Sequence, residues 1–160
     1  MKINILLPYK EKFDDFKASS VSITVKNNMI YSEFFKNIIV FGKQTNNPFF
    51  PKNFFGIKYP FWTLKSKNRF LADQLIKEVL KSNKQQLIEI HNRPYLVDRI
   101  KNKIRSHPIT LFLHNDPKEM NGSKSLAERK KLLLQCEAIL CVSKYIKKQL
   151  NDEEGTKGTN

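Results

Sequence analysis

Glycine is scarce in this chain, with 5 among 160 residues, and the glycine-rich motifs of common nucleotide sites are missing. No GxGxxG follows the first apolar run, which argues against a dinucleotide site. No GxxxxGK followed by Ser or Thr is present, which excludes a P-loop of the usual form. GxSxG is missing as well, so a hydrolase-type nucleophile elbow has no support.

Cysteine is also rare. Cys136 and Cys141 are the two present, and their spacing matches neither CxxC nor a zinc-binding pattern. We expect both to be reduced and mostly buried as small apolar side chains. That usage is typical of a cytoplasmic protein.

Long apolar runs are absent. The amino-terminal segment MKINILLPYK holds only a short apolar run before Pro8, too short for a signal sequence or a membrane span. No later window approaches the length of a span. Any membrane contact is therefore expected to be peripheral.

Acidic residues are outnumbered, since 29 Lys and Arg stand against 15 Asp and Glu for a net charge of +14. Such a surface attracts nucleic acid, anionic lipid head groups or phosphorylated substrates, although a generally lysine-rich surface explains the same numbers. RNP, KH and zinc-finger signatures are absent, so no nucleic-acid partner is expected. The length and the 40% apolar content indicate one globular domain with a real core.

Short apolar runs alternate with helix-like segments along the whole chain. Buried-strand patterns lie at residues 3–7, 37–42, 87–90, 110–113 and 138–142. Helices are expected after the Ser19-Ser20 pair, over residues 68–82, from Pro94, from the capping box of Ser125 and Glu128, and after Ser143. The alternation predicts an α/β fold with a mostly parallel sheet.

Two stretches are ambiguous from sequence. Residues 21–25 alternate like a strand, but the α/β layout favours a helix there. Residues 44–60 form a turn-rich segment full of aromatic residues, and Phe61 and Trp62 follow it. These rings either fill gaps between a loop and the sheet or form an exposed apolar patch for a lipid-bearing substrate or a partner.

Two histidines follow predicted strands. His91-Asn92 ends the run at 87–90, and His114-Asn115 ends the run at 110–113. Ligands bind at the carboxyl ends of parallel strands, so both tips are expected to line one crevice. Histidine there serves as a hydroxyl or phosphate contact, a base, a metal ligand with Asp116 as the nearby carboxylate, or a structural residue.

The sequence also resembles a known family. The motifs are HNRP at 91–94, LHNDP at 113–117, the S-x-x-E-R helix start at Ser125, and the last apolar strand running through CVS into YIKKQL. Together they resemble the amino-terminal domain of glycosyltransferase family 4 enzymes of bacterial lipopolysaccharide and cell-surface polysaccharide assembly. The likeness covers residues 3–150.

The resemblance implies a Rossmann-like three-layer domain over residues 1–150, one half of a two-domain GT-B fold, with 151–160 as a frayed tail or the start of a linker. It implies a retaining hexosyltransferase that takes a sugar from a nucleotide-sugar donor to a cell-surface glycan or lipid-linked acceptor. No cofactor or bound metal is implied. The location implied is cytoplasmic, with peripheral contact at the inner face of the membrane.

Residue by residue, the resemblance assigns His114 to the donor sugar as the catalytic contact. It assigns the neighbouring tip residues to substrate binding: His91, Asn92, Arg93, Asn115 and Asp116. The loop after the first strand faces the donor phosphates, here through Lys17, Ser19 and Ser20. Ala18, Ser19 and Ser20 replace the family's glycines, so close backbone approach to a diphosphate is lost.

The donor-binding domain of the family, with its paired-glutamate motif, is not part of this sequence. We therefore expect this chain by itself to be inactive. The alternative is a non-catalytic domain that binds phosphorylated glycan or an anionic membrane surface.

Overall fold

The computed structural model describes residues 1–152, within which six strands alternate with helices. The elements in chain order are β1 (Lys2–Leu6), α1 (Ser20–Ile30), β2 (Ile38–Lys43), β3 (Phe54–Ile57), α2 (Lys67–Val79), β4 (Gln86–His91), α3 (Tyr95–Lys103), β5 (Ile109–Leu113), α4 (Leu126–Gln135), β6 (Ala138–Cys141) and α5 (Lys144–Asn151). No helix in this part of the chain is long and apolar enough to cross a membrane.

The strands form one sheet in the order β3-β2-β1-β4-β5-β6, and every pairing is parallel. The order reverses between β1 and β4. Loops that leave these two strands diverge to opposite sides and open a crevice at their carboxyl ends. The predicted α/β fold with a Rossmann-like, three-layer arrangement is confirmed.

Apolar strands are buried because helices cover both faces of the sheet. On one face α2, α3 and α4 pack against alternate strand residues. On the other face α1 packs against β1 and β2, and loop phenylalanines complete the cover. Over β6 this second face stays open, and Leu140 and Val142 are 44% and 48% exposed.

Serines cap four of the helices, three of them as expected from the sequence. Ser19 caps α1, Ser125 forms a full capping box with Glu128, and Ser143 caps α5; Ser66 caps α2 without having been predicted. Each cap satisfies an unpaired backbone N–H and stabilises its helix by about 1 kcal/mol.

Residues 21–25 are helical, as the α/β layout required. The cap at Ser19 starts α1, and Val21, Val25 and Met29 lie one turn apart on its buried face. Burial of this face against β1 and β2 outweighs the strand preference of β-branched residues, because local propensity differs by less than the free energy of core burial.

The segment 44–60 was expected to be a loop, and that expectation is wrong in part, since it contains β3. This strand lies at the sheet edge, pairs only with β2 and is four residues long. Phe49, Phe50 and Phe54 pack around the buried Phe13 ring, so these rings fill gaps. Just beyond the segment, Phe61 and Trp62 are 93% and 74% exposed and pack on each other.

Both cysteines are free thiols, but they are half-buried rather than mostly buried. Burial still raises the pKa of Cys136 to about 12 and raises the pKa of Cys141, so both thiols stay protonated at neutral pH.

The predicted tail at 151–160 is ordered where it is described. Asn151 ends α5, and the Asp152 carbonyl accepts a 2.7 Å hydrogen bond from Arg129. Residues 153–160 lie outside the described part of the chain.

Candidate functional site

The two predicted histidines meet at the carboxyl edge of the sheet. β4 and β5 are neighbours, with His91 paired to Phe112 in register. His91 Nδ1 lies 2.8 Å from His114 Nε2, which is a hydrogen bond. The Phe112 ring stacks on both imidazoles, at centroid distances of 5.0 and 4.8 Å. The expectation that the two tips lie together at one edge of the sheet is confirmed.

Glu89 extends this pair into a chain. Its Oε1 lies 2.7 Å from Nε2 of His91, on the side of the ring opposite His114. Residues 89 and 91 share a face of β4 because side chains alternate along a strand. Glu89 was not among the residues predicted from the sequence, although a carboxylate two residues before a strand-tip histidine was the available signal.

The direction of the hydrogen bonds follows from the chemistry of the three groups. An ionised Glu89 only accepts, so His91 donates from Nε2. His91 is fully buried, and with Nε2 as its donor the other ring nitrogen, Nδ1, accepts from Nε2–H of His114. His114 is left with an unprotonated Nδ1 that makes no hydrogen bond to the described residues.

His114 is a neutral imidazole at neutral pH. Burial lowers its pKa from 6.5 to about 4, and the neighbouring His91 lowers it further than Glu89 raises it. Because pH 7 lies about three pH units above this pKa, only about one molecule in a thousand carries the imidazolium at that pH. A neutral imidazole interacts with its surroundings by hydrogen bonding and carries no charge.

Asn92 holds the backbone of His114 in place. Its φ of 50° places it in the left-handed region, which Asn tolerates better than most residues. Its Oδ1 accepts from the His114 backbone N–H at 2.8 Å. His91 and Asn92 are 0% and 4% exposed, and both hold His114 in place through hydrogen bonds. Asn92 also lines a small cavity at this tip, and the substrate contacts of both residues stay predictions.

Arg93 is half-buried and lines a cavity at the HNRP tip. Its Nη1 donates to the Asn92 carbonyl at 2.6 Å. The cavity has a volume of about 340 Å³ and is also lined by Asn68, Asn92, Pro94, Tyr95 and residues 119–121. An anionic or hydroxyl-rich ligand in this cavity would meet the guanidinium.

In the LHNDP tip, Asn115 and Asp116 differ in exposure and in contacts. Asn115 is exposed. Asp116 accepts from the Lys118 backbone N–H at 2.8 Å and from the Tyr145 hydroxyl at 3.1 Å, which ties the tip to α5. Within residues 1–152 no three His, Cys, Asp or Glu side chains are grouped to hold a metal ion.

The predicted phosphate loop is not brought to the histidines by any contact. Ser19 Oγ accepts from the Ser22 backbone N–H and donates to the Ser22 hydroxyl at 3.1 Å, so it is committed to the cap of α1. Ser20 is the first residue of that helix. Lys17 lines a different cavity, on the β2 side of the sheet edge.

Fold and site together define a Rossmann-like α/β domain with a carboxylate–imidazole–imidazole chain beside its switch point. No protein family, curated protein or solved structure matches this chain.

Proposed function

We propose that this domain is the acceptor-side half of a retaining glycosyltransferase. It works with a donor-binding domain to move a sugar from a nucleotide-sugar to a cell-surface glycan or lipid-linked acceptor, as in lipopolysaccharide assembly. The observation that supports this best is the Glu89–His91–His114 chain, which presents one neutral imidazole at the edge where such sheets bind ligands.

The proposed task of His114 is to accept a hydrogen bond from a hydroxyl of the donor sugar through Nδ1. Sugars are recognised by such neutral, directional contacts, and an imidazole that stays uncharged keeps its acceptor lone pair. Phe112 and the β4 tip restrict the ring to one orientation. The sugar is thereby held with its reacting carbon facing the acceptor hydroxyl.

Glu89 adds an electrostatic contribution in this proposal. Its negative charge polarises both imidazoles in series, which strengthens His114 Nδ1 as an acceptor. Retaining transfer develops positive charge on the sugar as the bond to the nucleotide diphosphate breaks. A fixed carboxylate behind two aligned rings stabilises that charge without reorganisation.

The partners proposed are a nucleotide-sugar, held mainly by the donor-binding domain, and a glycan or lipid-linked acceptor. The proposed location is the cytoplasm, with peripheral contact to the inner face of the membrane. The charge of +14 favours such contact, because anionic lipid head groups attract clustered lysines.

The experiment measures sugar transfer from a panel of labelled nucleotide-sugars. The chain is tested alone and with a candidate donor-binding domain that carries a paired-glutamate motif. We expect no transfer by the chain alone and transfer by the mixture. His114→Ala should reduce transfer at least tenfold, the loss of about one charge-polarised hydrogen bond in the transition state.

Two variants separate positioning from general damage. Glu89→Gln should lower kcat several-fold with little change in KM, because the charge is lost while the shape is kept. His107→Gln removes the third histidine, which bonds the Gln86 backbone N–H at the opposite edge of the sheet, and should affect stability alone. Robust transfer by the chain alone, or full activity of His114→Ala in the mixture, contradicts the proposal.

A second candidate is a non-catalytic domain that binds phosphorylated glycan or an anionic membrane surface. The lysines along the carboxyl edge near β2 favour it. It predicts glycan or vesicle binding by the chain with no transfer under any pairing, and His114→Ala then leaves that binding unchanged.

A further inference from the structure

A second cavity opens at the carboxyl edge of the sheet, on the β2 side of the switch point. Its volume is about 470 Å³, and it lies between the loop after β1 and the residues that follow β2. Three lysines, three amides, a threonine, a phenylalanine and one carboxylate line it: Lys12, Asp14, Phe16, Lys17, Lys43, Gln44, Thr45, Asn46 and Asn47.

The positive charge of this cavity is only partly neutralised, since three lysines and one carboxylate line it. Lys12, Lys17 and Lys43 make none of the ion pairs found within residues 1–152. Bringing three ammonium groups to one concave surface costs free energy through mutual repulsion, and a bound anion removes that cost.

Asp14 offsets at most one of the three positive charges. Both Asp14 oxygens accept hydrogen bonds from groups other than the lysine ammonium groups. Oδ2 accepts from the Thr45 hydroxyl, and Oδ1 accepts from the Phe16 and Lys17 backbone N–H groups at 2.9 and 3.0 Å. These hydrogen bonds, that of Thr45 foremost, lower the pKa of Asp14, and the charge of Lys12 helps to lower it. The carboxylate therefore ties the two cavity walls together and leaves the lysine ammonium groups available.

Aromatic contacts hold the inner lysine in place. Lys43 Nζ lies 5.4 Å from the Tyr9 ring centroid, and Lys67 Nζ lies 5.1 Å from the same ring. The Tyr9 backbone N–H donates to Asn68 Oδ1 at 2.7 Å, which ties the loop after β1 to α2. Two cations at one ring continue the positive surface from β2 towards the β4 tip.

A second lysine-rich cavity lies at the amino ends of the strands and is lined by Lys2, Lys36, Lys81 and Lys84. There Lys81 is paired with Glu78 at 2.5 Å, whereas no lysine of the cavity after β2 forms an ion pair within residues 1–152. The cavity at the amino ends also lies at the edge of the sheet away from both histidines.

From these observations we infer that the cavity after β2 binds a phosphomonoester carried by the acceptor. The ammonium groups supply the charge, and Gln44, Asn46 and Asn47 supply N–H donors to the phosphate oxygens. Phe16, which is 79% exposed, offers an apolar surface beside them. This inference rests on the proposed function, which supplies the acceptor, and it adds that the acceptor carries a phosphomonoester.

The spacing suits such a ligand. β2 and β5 are separated by β1 and β4, and neighbouring strands are about 4.8 Å apart, so the cavity and His114 are separated by on the order of 14 Å. An acceptor glycan that places its phosphate at Lys43 can extend along the edge of the sheet towards the crevice.

The test titrates the full chain with glucose 6-phosphate and with glucose at an ionic strength near 0.15 M, followed by NMR and calorimetry. We expect saturable binding of the phosphate ester alone, with shifts at residues 12–17 and 43–47. Lys17→Gln and Lys43→Gln should each weaken it about five- to tenfold, the loss of one charge-assisted contact.

Lys84→Gln is the matched control, since it removes the same charge from the other lysine-rich cavity. Binding within about twofold of wild type is expected for this variant. The inference is overturned if Lys84→Gln weakens binding as much as Lys43→Gln, if shifts spread over both edges, or if glucose 6-phosphate does not bind. The binding test requires no sugar transfer, so a failure of this inference can be distinguished from a failure of the proposed transferase function.

Vesicles distinguish the two sources of the phosphate. Phosphatidylcholine vesicles with and without phosphatidic acid are sedimented with wild type and with Lys43→Gln. Retention that needs both phosphatidic acid and Lys43 assigns the phosphate to a lipid head group. Binding of glucose 6-phosphate without retention on vesicles assigns it to a glycan.

Discussion

Replacing His114 by glutamine should change how the stability of the protein depends on pH. The folded-state pKa of His114 is about 4, against 6.5 for an unperturbed histidine, because the ring is partly buried next to His91. Between these values the unfolded chain binds the proton and the folded chain does not. The free energy of unfolding therefore falls as the pH drops from about 6.5 to about 4, and it is flat for this group outside that window.

The size of the effect follows from the same two values. A pKa lowered from 6.5 to about 4 corresponds to at most about 3 kcal/mol. The ring is only half-buried, so solvent screening reduces this to about 1–2 kcal/mol. At neutral pH the free energy of unfolding of the variant should be about 1 kcal/mol lower, because the hydrogen bond to His91 contributes about that much.

The assay is urea unfolding of wild type and His114→Gln at several values between about pH 7 and pH 4. The variant should be the less stable protein at pH 7, and the difference should vanish or reverse by about pH 4. Acidic groups elsewhere titrate equally in both proteins, so their contributions cancel in the difference. A difference that stays constant over this range refutes the reasoning, because His114 would then titrate alike in both states.

Two further predictions concern stability around α4. Arg129 is 2% exposed, and its guanidinium donates to the carbonyls of Leu150, Ser123, Lys124 and Asp152. Arg129→Ala should therefore lower the free energy of unfolding in urea by about 3–5 kcal/mol. A loss below about 1 kcal/mol would show that water replaces these contacts. Gly122 has a φ of +86°, and an added Cβ would lie 2.6 Å from Tyr95 backbone atoms. Gly122→Ala should therefore lower the free energy of unfolding by about 2–4 kcal/mol, whereas Asn121→Ala, at an exposed position, should change it by no more than about 0.5 kcal/mol. Equal losses for the two variants would contradict this account.

Local patterns were sufficient for most of the fold. The serine caps of α1, α4 and α5 need only a hydroxyl and a following turn, so a short window of sequence predicts them. Five of the six described strands appear as short apolar runs, because at least one face of each packs against the core. The meeting of His91 and His114 was also predictable, since successive parallel strands that are neighbours end at the same edge.

β3 could not be predicted in the same way. Its residues FFGI lie between Pro51 and Pro60 in a segment that resembles a loop. The strand exists because β2 offers an unpaired edge and Phe54 packs on Phe13, which is 41 positions earlier in the chain. Long-range pairing of this kind leaves little trace in local sequence.

The sequence by itself determined the two histidine tips, the helix starts and the excess of lysine. Only the tertiary structure decided that Glu89 lies behind His91, that His114 stays neutral, and that Lys12, Lys17 and Lys43 share one cavity. The physical reason is that strand order and burial set distances and local dielectric between residues remote in sequence. Those quantities, and not residue type alone, fix protonation and charge balance at a site.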